Sequence, residues 1–345
     1  MHDDSKRTGA TARPPIEAVL LTVPYSDGEI AQLAAAFAPA RVITVPADDH
    51  AGIEAALAVA DVAVLQGDAD ERFLNGRLRW IHCDHSGLNK TARPEFVAAD
   101  VIVTGAAGRS APALAQHVFY FALALTHDTV GLLDAQRRHV WRGIPGYERR
   151  HALWGKTLGI IGLGKTGEEV AALGKAFGMT VLAYRRSDAP APACVDRLYC
   201  AARGESIDRL LEESDVVVLA TKLTDETHHL IGADQLHRMK PTAYLVNISR
   251  GAVIDEPALV EALHAGEIAG AGLDVFEEEP LPEDAAIWDA PHVLITPHMT
   301  PRMPDRTQRS VDIVVENLRR YRAGEELLNM LTASDLYTGK AAAGR

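Results

Sequence analysis

Residues 157–170 read TLGIIGLGKTGEEV. An apolar, β-rich run ends in Gly162, Gly164 and Gly167, spaced G-x-G-x-x-G, and a helix-forming run follows. Strand, glycine loop, helix is the context in which this spacing carries meaning. The first glycine permits a tight turn, the second lets the backbone approach a pyrophosphate, and the third lets the helix pack closely on the strand. The helix N-terminus, opening at Lys165 and Thr166, then faces the anion with unpaired N–H groups. The stretch predicts a dinucleotide-binding βαβ unit.

The next strand candidate, MTVLAY (179–184), runs into RRSD (185–188). About 20 residues beyond the glycines such a unit usually carries an acid, which accepts hydrogen bonds from a free ribose 2′-OH. Arg185 stands there, followed by Arg186 and Ser187. Arginine reverses the preference, because its fork of donors and its charge suit a 2′-phosphate. The expected cofactor is NADP, with NAD as the alternative if the two arginines are merely solvated.

Outward from this unit the chain keeps the same rhythm. DVVVLAT (215–221), AYLVNIS (243–249), IAGAGLDV (268–275) and HVLITPH (292–298) are further strand candidates. DEPALVEALHAG (255–266) is a helix with Asp255 as cap, an early Pro257 and a terminating Gly266. Before it, EAVLLTV (17–23), RVITV (41–45), DVAVLQG (61–67), LRWIHC (78–83) and DVIVTG (100–105) alternate with alanine-rich helical runs. Apolar runs without polar alternation indicate strands buried on both faces, hence parallel sheets between helices. Residues 111–141 read as one long helix joining two domains, and 305–324 as a C-terminal helix. The predicted fold is α/β, with two doubly wound parallel-sheet domains. A Rossmann-type nucleotide domain (119–302) is inserted in a flavodoxin-like substrate domain (1–118 plus 303–345). Trp80, Phe119 and Phe121 are expected in the cores. Trp141 and Trp154 are expected in core or dimer packing.

The 345 residues are 47% apolar and carry a net charge of −12, which argues against nucleic acid or an anionic membrane surface as partner. Three cysteines without a CxxC pair suit a reducing, cytoplasmic setting. The first fifteen residues are polar and expected to be disordered, and AVLLTV (18–23) is too short for a signal or membrane segment.

Three pieces fall at predicted strand ends: NISRG (247–251), LDVFEEEP (273–280) and TPHM (296–299). Ligands of open α/β sheets sit beyond the carboxyl ends of the strands. Arg250, an acidic cluster and His298 are therefore candidates for one crevice. Arginine grips a carboxylate and polarises a carbonyl, while histidine exchanges the proton of a C–OH/C=O interconversion. Each alone is commonplace: a loop arginine, a solvated acidic turn, a structural histidine.

Together with WIHCDHSGLNK (80–90), VTGAAGRSAPALAQHVF (103–119) and GKTLGIIGLGKTG (155–167), these blocks resemble the D-isomer-specific 2-hydroxyacid dehydrogenases, glyoxylate/hydroxypyruvate reductases in particular, from about Trp80 to Arg320. The resemblance implies Arg250 as the substrate-binding arginine, Glu279 as partner of the histidine and His298 as acid/base. Asp274 matches a residue near the nicotinamide carboxamide. Lys165, Thr166, Thr221 and Ser249 join the glycines and Arg185–Ser187 as cofactor contacts. The amides of Ser86, Gly87 and Leu88 match a loop that clamps the substrate carboxylate. A homodimer and a D product are implied, with no catalytic metal; HCDH (82–85) and His228–His229 are rejected as metal sites. Gln116, Lys222, Asp84 and His85 depart from the family pattern, and side chains at 84 and 85 are placed to contact substrate. Two other readings are a phosphite-type sibling dehydrogenase and a dinucleotide-sensing protein resembling the C-terminal binding protein corepressors. Loss of turnover on replacing His298 separates the enzyme from the sensor.

Overall fold

The computed structural model describes residues 13–74, 76–144, 146, 150–299 and 302–339, and the chain separates into two units. Residues 1–12, most of the N-terminal segment expected to be disordered, lie outside the described residues.

The first unit comprises the chain up to Arg109 and residues from Pro304 to Thr338. It begins β1 (Ala18–Leu21), α1 (Asp27–Phe37), β2 (Arg41–Thr44), α2 (His50–Leu57), β3 (Val62–Leu65), β4 (Trp80–Cys83), α3 (Pro94–Ala98), β5 (Ile102–Gly105). The five strands pair in parallel in the order β2-β1-β3-β4-β5, the flavodoxin-like arrangement. α1 starts at Ser26, whose side chain and that of Glu29 form a capping box. The C-terminal helix Arg306–Ala323 packs on α1. Trp80 explains why it stays there. Its fully buried indole stacks on Tyr321 of that helix (6.2 Å between centroids), faces Phe37 of α1 (6.3 Å), and donates Nε1–H to Thr104 Oγ1 at 2.8 Å. Burying an aromatic of this size contributes roughly 2–3 kcal/mol. Beyond the helix, Met330 pairs antiparallel with Thr104 and covers the β5 edge.

The second unit spans Ser110–Met303 among the described residues, with Gly339 also assigned to it. It contains α4 (Ala111–Thr126), α5 (Thr129–Arg137), β6 (Thr157–Ile161), α6 (Lys165–Ala176), β7 (Thr180–Arg185), β8 (Arg197–Cys200), α7 (Asp208–Glu213), β9 (Val216–Leu219), α8 (Ala233–Arg238), β10 (Tyr244–Asn247), α9 (Glu256–Ala265), β11 (Gly270–Leu273) and β12 (Val293–Ile295). The seven parallel strands run β12-β11-β10-β9-β6-β7-β8, so chain direction across the sheet reverses between β6 and β9. That switch point is where a Rossmann-type sheet opens its crevice. Val216–Leu219 is buried at every position, as a strand covered on both faces requires.

Three expectations need correction. The stretch 111–141 is two helices, because Asp128 takes a left-handed φ of 50° and caps the second one through Gly131 N–H. α4 lies wholly in the second unit, so the chain passes between units at Arg109–Ser110 and not within the helix. Of the two alternatives for Trp141 and Trp154, the core one fails, since they are 88% and 78% exposed in this chain, whereas Phe119 and Phe121 are buried. Gly272 of β11 admits the Phe121 ring, which a side chain there would strike.

Candidate active site

The glycine loop sits at the switch point. Gly162 follows β6 with φ 104°, and a Cβ there would collide with the backbone of Ala220 and Thr221 beyond β9. Only glycine meets both demands. A Cβ at Gly167 would strike the Gly162 carbonyl, so that glycine sets the closeness of α6 to the loop. Gly164 is the N-cap of α6, and a Cβ on it would meet nothing within 4 Å; its open side faces a cavity of about 550 Å³. The cavity is lined by Gly162, Leu163 and Gly164, by Tyr184–Ser187 at the end of β7, and by Ala220–Lys222, Thr224, Glu226, Thr227 and Leu230 beyond β9. Three cationic residues line it, Arg185 and Arg186 at the end of β7 and Lys222 beyond β9, on either side of β6. Arg185 is held by its own turn, Nε donating to the Ser187 carbonyl at 3.0 Å. Lys165 is an exposed side chain paired with Glu168 at 3.9 Å and outside the cavity lining, as is Thr166; both stand in the first turn of α6, where backbone N–H groups are the available donors.

The loops after β10, β11 and β12 lie along the same carboxyl-end rim. Asn247, fully buried, shapes the first. Its Oδ1 accepts from Ser249 N–H (3.0 Å) and Ser249 Oγ–H (2.7 Å), and its Nδ2 donates to the Arg250 carbonyl (3.0 Å). The turn presents the half-buried Arg250, whose Nη1 donates to the Ser249 carbonyl at 2.6 Å. Gly251 then presses on the Phe276–Glu277 backbone, where a Cβ would collide. This contact joins the arginine loop to the acidic loop.

The three consecutive glutamates separate in role. Glu277 pairs with His229 Nε2 at 2.7 Å, and Glu278 is exposed. Glu279 accepts Phe276 N–H on one oxygen (3.0 Å) and faces His298 Nδ1 with the other (2.6 Å). A carboxylate only accepts, so Nδ1 carries the proton and Nε2 is left to exchange one. His298 has φ 47° and a side chain 45% exposed. Asp274, buried, accepts Thr296 Oγ1–H (2.6 Å) and Met299 N–H (2.9 Å) on Oδ1. His228 and His229 stack on each other at 4.0 Å. Among the described residues no group of three His, Cys, Asp or Glu is arranged to hold a metal, and no helix is long and apolar enough to cross a membrane.

In the first unit, Ser86 Oγ donates to the Ala106 carbonyl (3.4 Å), and the Leu88 carbonyl closes the loop on Thr91 and Ala92. Asp84 corrects an expectation. It is buried and ion-paired with buried Arg109, which also donates to Ser310 Oγ at 3.0 Å. Its carboxylate therefore braces the loop base. The phenol of neighbouring Tyr25 is raised above its usual range by burial first and by the Asp84 charge second. His85 lies 3.6 Å from Asp68 at partial exposure. The sequence reading missed Asn247, Arg109 and the Thr224–Thr227 turn of the cavity wall. The turn had a visible signal in its T-x-x-T spacing, and Thr224 N–H indeed donates to Thr227 Oγ1 at 2.8 Å.

A Rossmann-type sheet with a glycine cradle at its switch point is the architecture of a dinucleotide-binding protein, and a histidine–carboxylate pair stands on the same rim. A family model described as D-isomer specific 2-hydroxyacid dehydrogenase, NAD binding domain, matches residues 119–300. A glyoxylate reductase of Pyrococcus furiosus is 35% identical over 72% of this chain and 74% of its own. A glyoxylate reductase of Korarchaeum cryptofilum is 45% identical over 50% of this chain and 51% of its own, so the chain spans about half of that relative's length. The crystal structure of a D-isomer specific 2-hydroxyacid dehydrogenase from Xanthobacter autotrophicus in complex with NADPH and MES superposes with a TM-score of 0.77 at 27% identity, over 92% of this chain and 98% of that one. The chain belongs to the D-isomer specific 2-hydroxyacid dehydrogenase family.

Proposed function

We propose that the protein transfers hydride between NADP(H) and a small 2-keto or 2-hydroxy acid of D configuration, working as a keto acid reductase of the glyoxylate/hydroxypyruvate type. The observation that carries this reading is the 2.6 Å Glu279–His298 pair on the rim that also holds the glycine cradle. Relatives named glyoxylate reductase, and NADPH in the Xanthobacter protein, support the same reaction class.

The cradle fits a dinucleotide: Gly162 makes the turn, and the open side of Gly164 gives phosphates access to backbone, with the N–H groups at Lys165–Gly167 behind it. Arg185, Arg186 and Ser187 take the 2′-phosphate, with Lys222 adding positive charge to the same cavity from the β9 side. Thr221, Ser249 and Asp274 complete the cofactor contacts, Asp274 at the carboxamide. The bound cofactor supplies the hydride. Arg250 binds the keto acid and stabilises charge developing on its carbonyl oxygen. Glu279 accepts Nδ1–H of His298 and so aims Nε2, which donates the proton to that oxygen. The Ser86–Leu88 amides take the substrate carboxylate. A cytoplasmic homodimer is the assembly proposed.

The test is to titrate the purified protein with NADPH and NADH, then add glyoxylate, hydroxypyruvate, pyruvate and phenylpyruvate while following nicotinamide absorbance. NADPH-preferring turnover of at least one keto acid is expected. Binding of either cofactor without reduction of any keto acid would sink the reductase reading. Equal use of NADH would sink the cofactor assignment alone.

A further inference from the structure

His117 lies on α4, beside the exposed Gln116, and is itself only 5% exposed. Its ring packs on Phe121 (4.8 Å between centroids) and edge-on to Tyr120 (5.8 Å). Nε2 lies 3.1 Å from Thr296 Oγ1, which is 2.6 Å from Asp274 Oδ1. Proton counting fixes the direction of this chain. A threonine hydroxyl has one proton, and the carboxylate can only accept it. The hydroxyl therefore accepts from His117, and the ring proton is on Nε2. Nδ1 is buried with no partner among the described residues, so a second ring proton would find no acceptor. Burial accordingly holds His117 below the usual imidazole range, with Asp274 pulling the other way. The same Asp274 oxygen accepts Met299 N–H at 2.9 Å. Met299 directly follows His298, whose φ of 47° is one a non-glycine residue keeps only when its surroundings hold it.

We propose that His117 is a positioning residue for His298: through Thr296 and Asp274 it fixes the backbone at 298–299, and with it the angle at which the imidazole meets Glu279. The role rests on the reading of His298 as the acid/base.

Four proteins test it: wild type, His117→Phe, His117→Gln and Thr296→Val. Glutamine keeps a neutral N–H donor, phenylalanine keeps ring bulk alone, and valine cuts the chain at its middle. Two readouts are taken, amide hydrogen exchange at Met299 and steady-state keto acid reduction. Exchange at Met299 should accelerate about tenfold in His117→Phe and Thr296→Val and stay within about twofold of wild type in His117→Gln. The kcat should fall about tenfold in the first two, with KM for the keto acid moving less than about threefold, and glutamine should restore most of it. Unchanged exchange in His117→Phe, or a glutamine variant as impaired as the phenylalanine one, overturns the proposal. Wild-type protein that reduces no keto acid defeats the proposed reaction instead, and the exchange readout still decides whether His117 holds the loop. Should His117→Phe not fold, Thr296→Val breaks the same chain and decides alone.

Discussion

Glu279 holds the imidazole of His298 at 2.6 Å while its second oxygen is fixed by Phe276 N–H at 3.0 Å. The carboxylate is thus anchored at one end and aims the ring with the other. Glu279→Gln keeps the shape and removes the charge that stabilises the proton on Nδ1. The expected outcome is a loss in kcat of about 10²-fold with a much smaller change in KM, measured at saturating NADPH. An unimpaired variant would mean that the pair is structural.

Arg185 and Arg186 line the cavity beside the glycine loop, and Arg185 is pre-set by its bond to the Ser187 carbonyl. In Arg185→Asp the new acid repels a 2′-phosphate and can accept from a free 2′-OH. The ratio of NADPH to NADH affinity should drop by at least about tenfold, since a charge-assisted hydrogen bond contributes roughly 1.5–3 kcal/mol. Fluorescence titration of both cofactors reads it. A ratio that does not move assigns discrimination to Arg186 and Lys222.

Asp84 and Arg109 are both buried at the ends of adjacent strands, β4 and β5, and form an ion pair under the Ser86–Leu88 loop. Asp84→Asn leaves a buried guanidinium without its counter-charge, a change that typically costs about 3–5 kcal/mol. Urea unfolding should show a loss of that order. The double variant Asp84→Met, Arg109→Met should lose less than the single one, because it leaves no unpaired charge. The reverse ranking would show that the Arg109–Ser310 bond, and not the ion pair, holds the loop base.

Much of this site was readable along the chain because its parts are short and contiguous. G-x-G-x-x-G fixes a strand, a turn and a helix within a dozen residues, and at Gly162 and Gly167 any Cβ would collide with backbone. His298 and Glu279 were readable from their blocks, although nothing local distinguished Glu279 from Glu277, which turns to His229 instead. The Asp84–Arg109 brace was illegible for a different reason. Its partners are separated by a whole α3–β5 passage, and only strand adjacency brings them together. β8 escaped because RLYC is a partly exposed edge strand without a buried apolar run. The break after α4 escaped because Asp128 enters the left-handed region that is normally glycine's, so no glycine or proline marks it.

His82, on β4, is fully buried, its Nδ1 3.0 Å from Thr104 Oγ1, which also accepts the Trp80 indole proton. Burial lowers its pKa to about 4, Asp84 opposing and Arg109 assisting. In the unfolded chain a histidine titrates near 6.5, so between about 6.5 and 4 the unfolded state binds a proton that the native state refuses. Stability must therefore fall as the pH drops through that window. A depression of this size removes about 3 kcal/mol by pH 4. His82→Gln carries no titrating ring and should flatten this part of the profile. Urea unfolding at pH 7, 6 and 5 for both proteins isolates the contribution, since His117, also lowered by burial, is common to the two. Parallel profiles would mean that His82 is protonated at no cost, and that Thr104 and Asp84 accommodate the imidazolium inside the first unit.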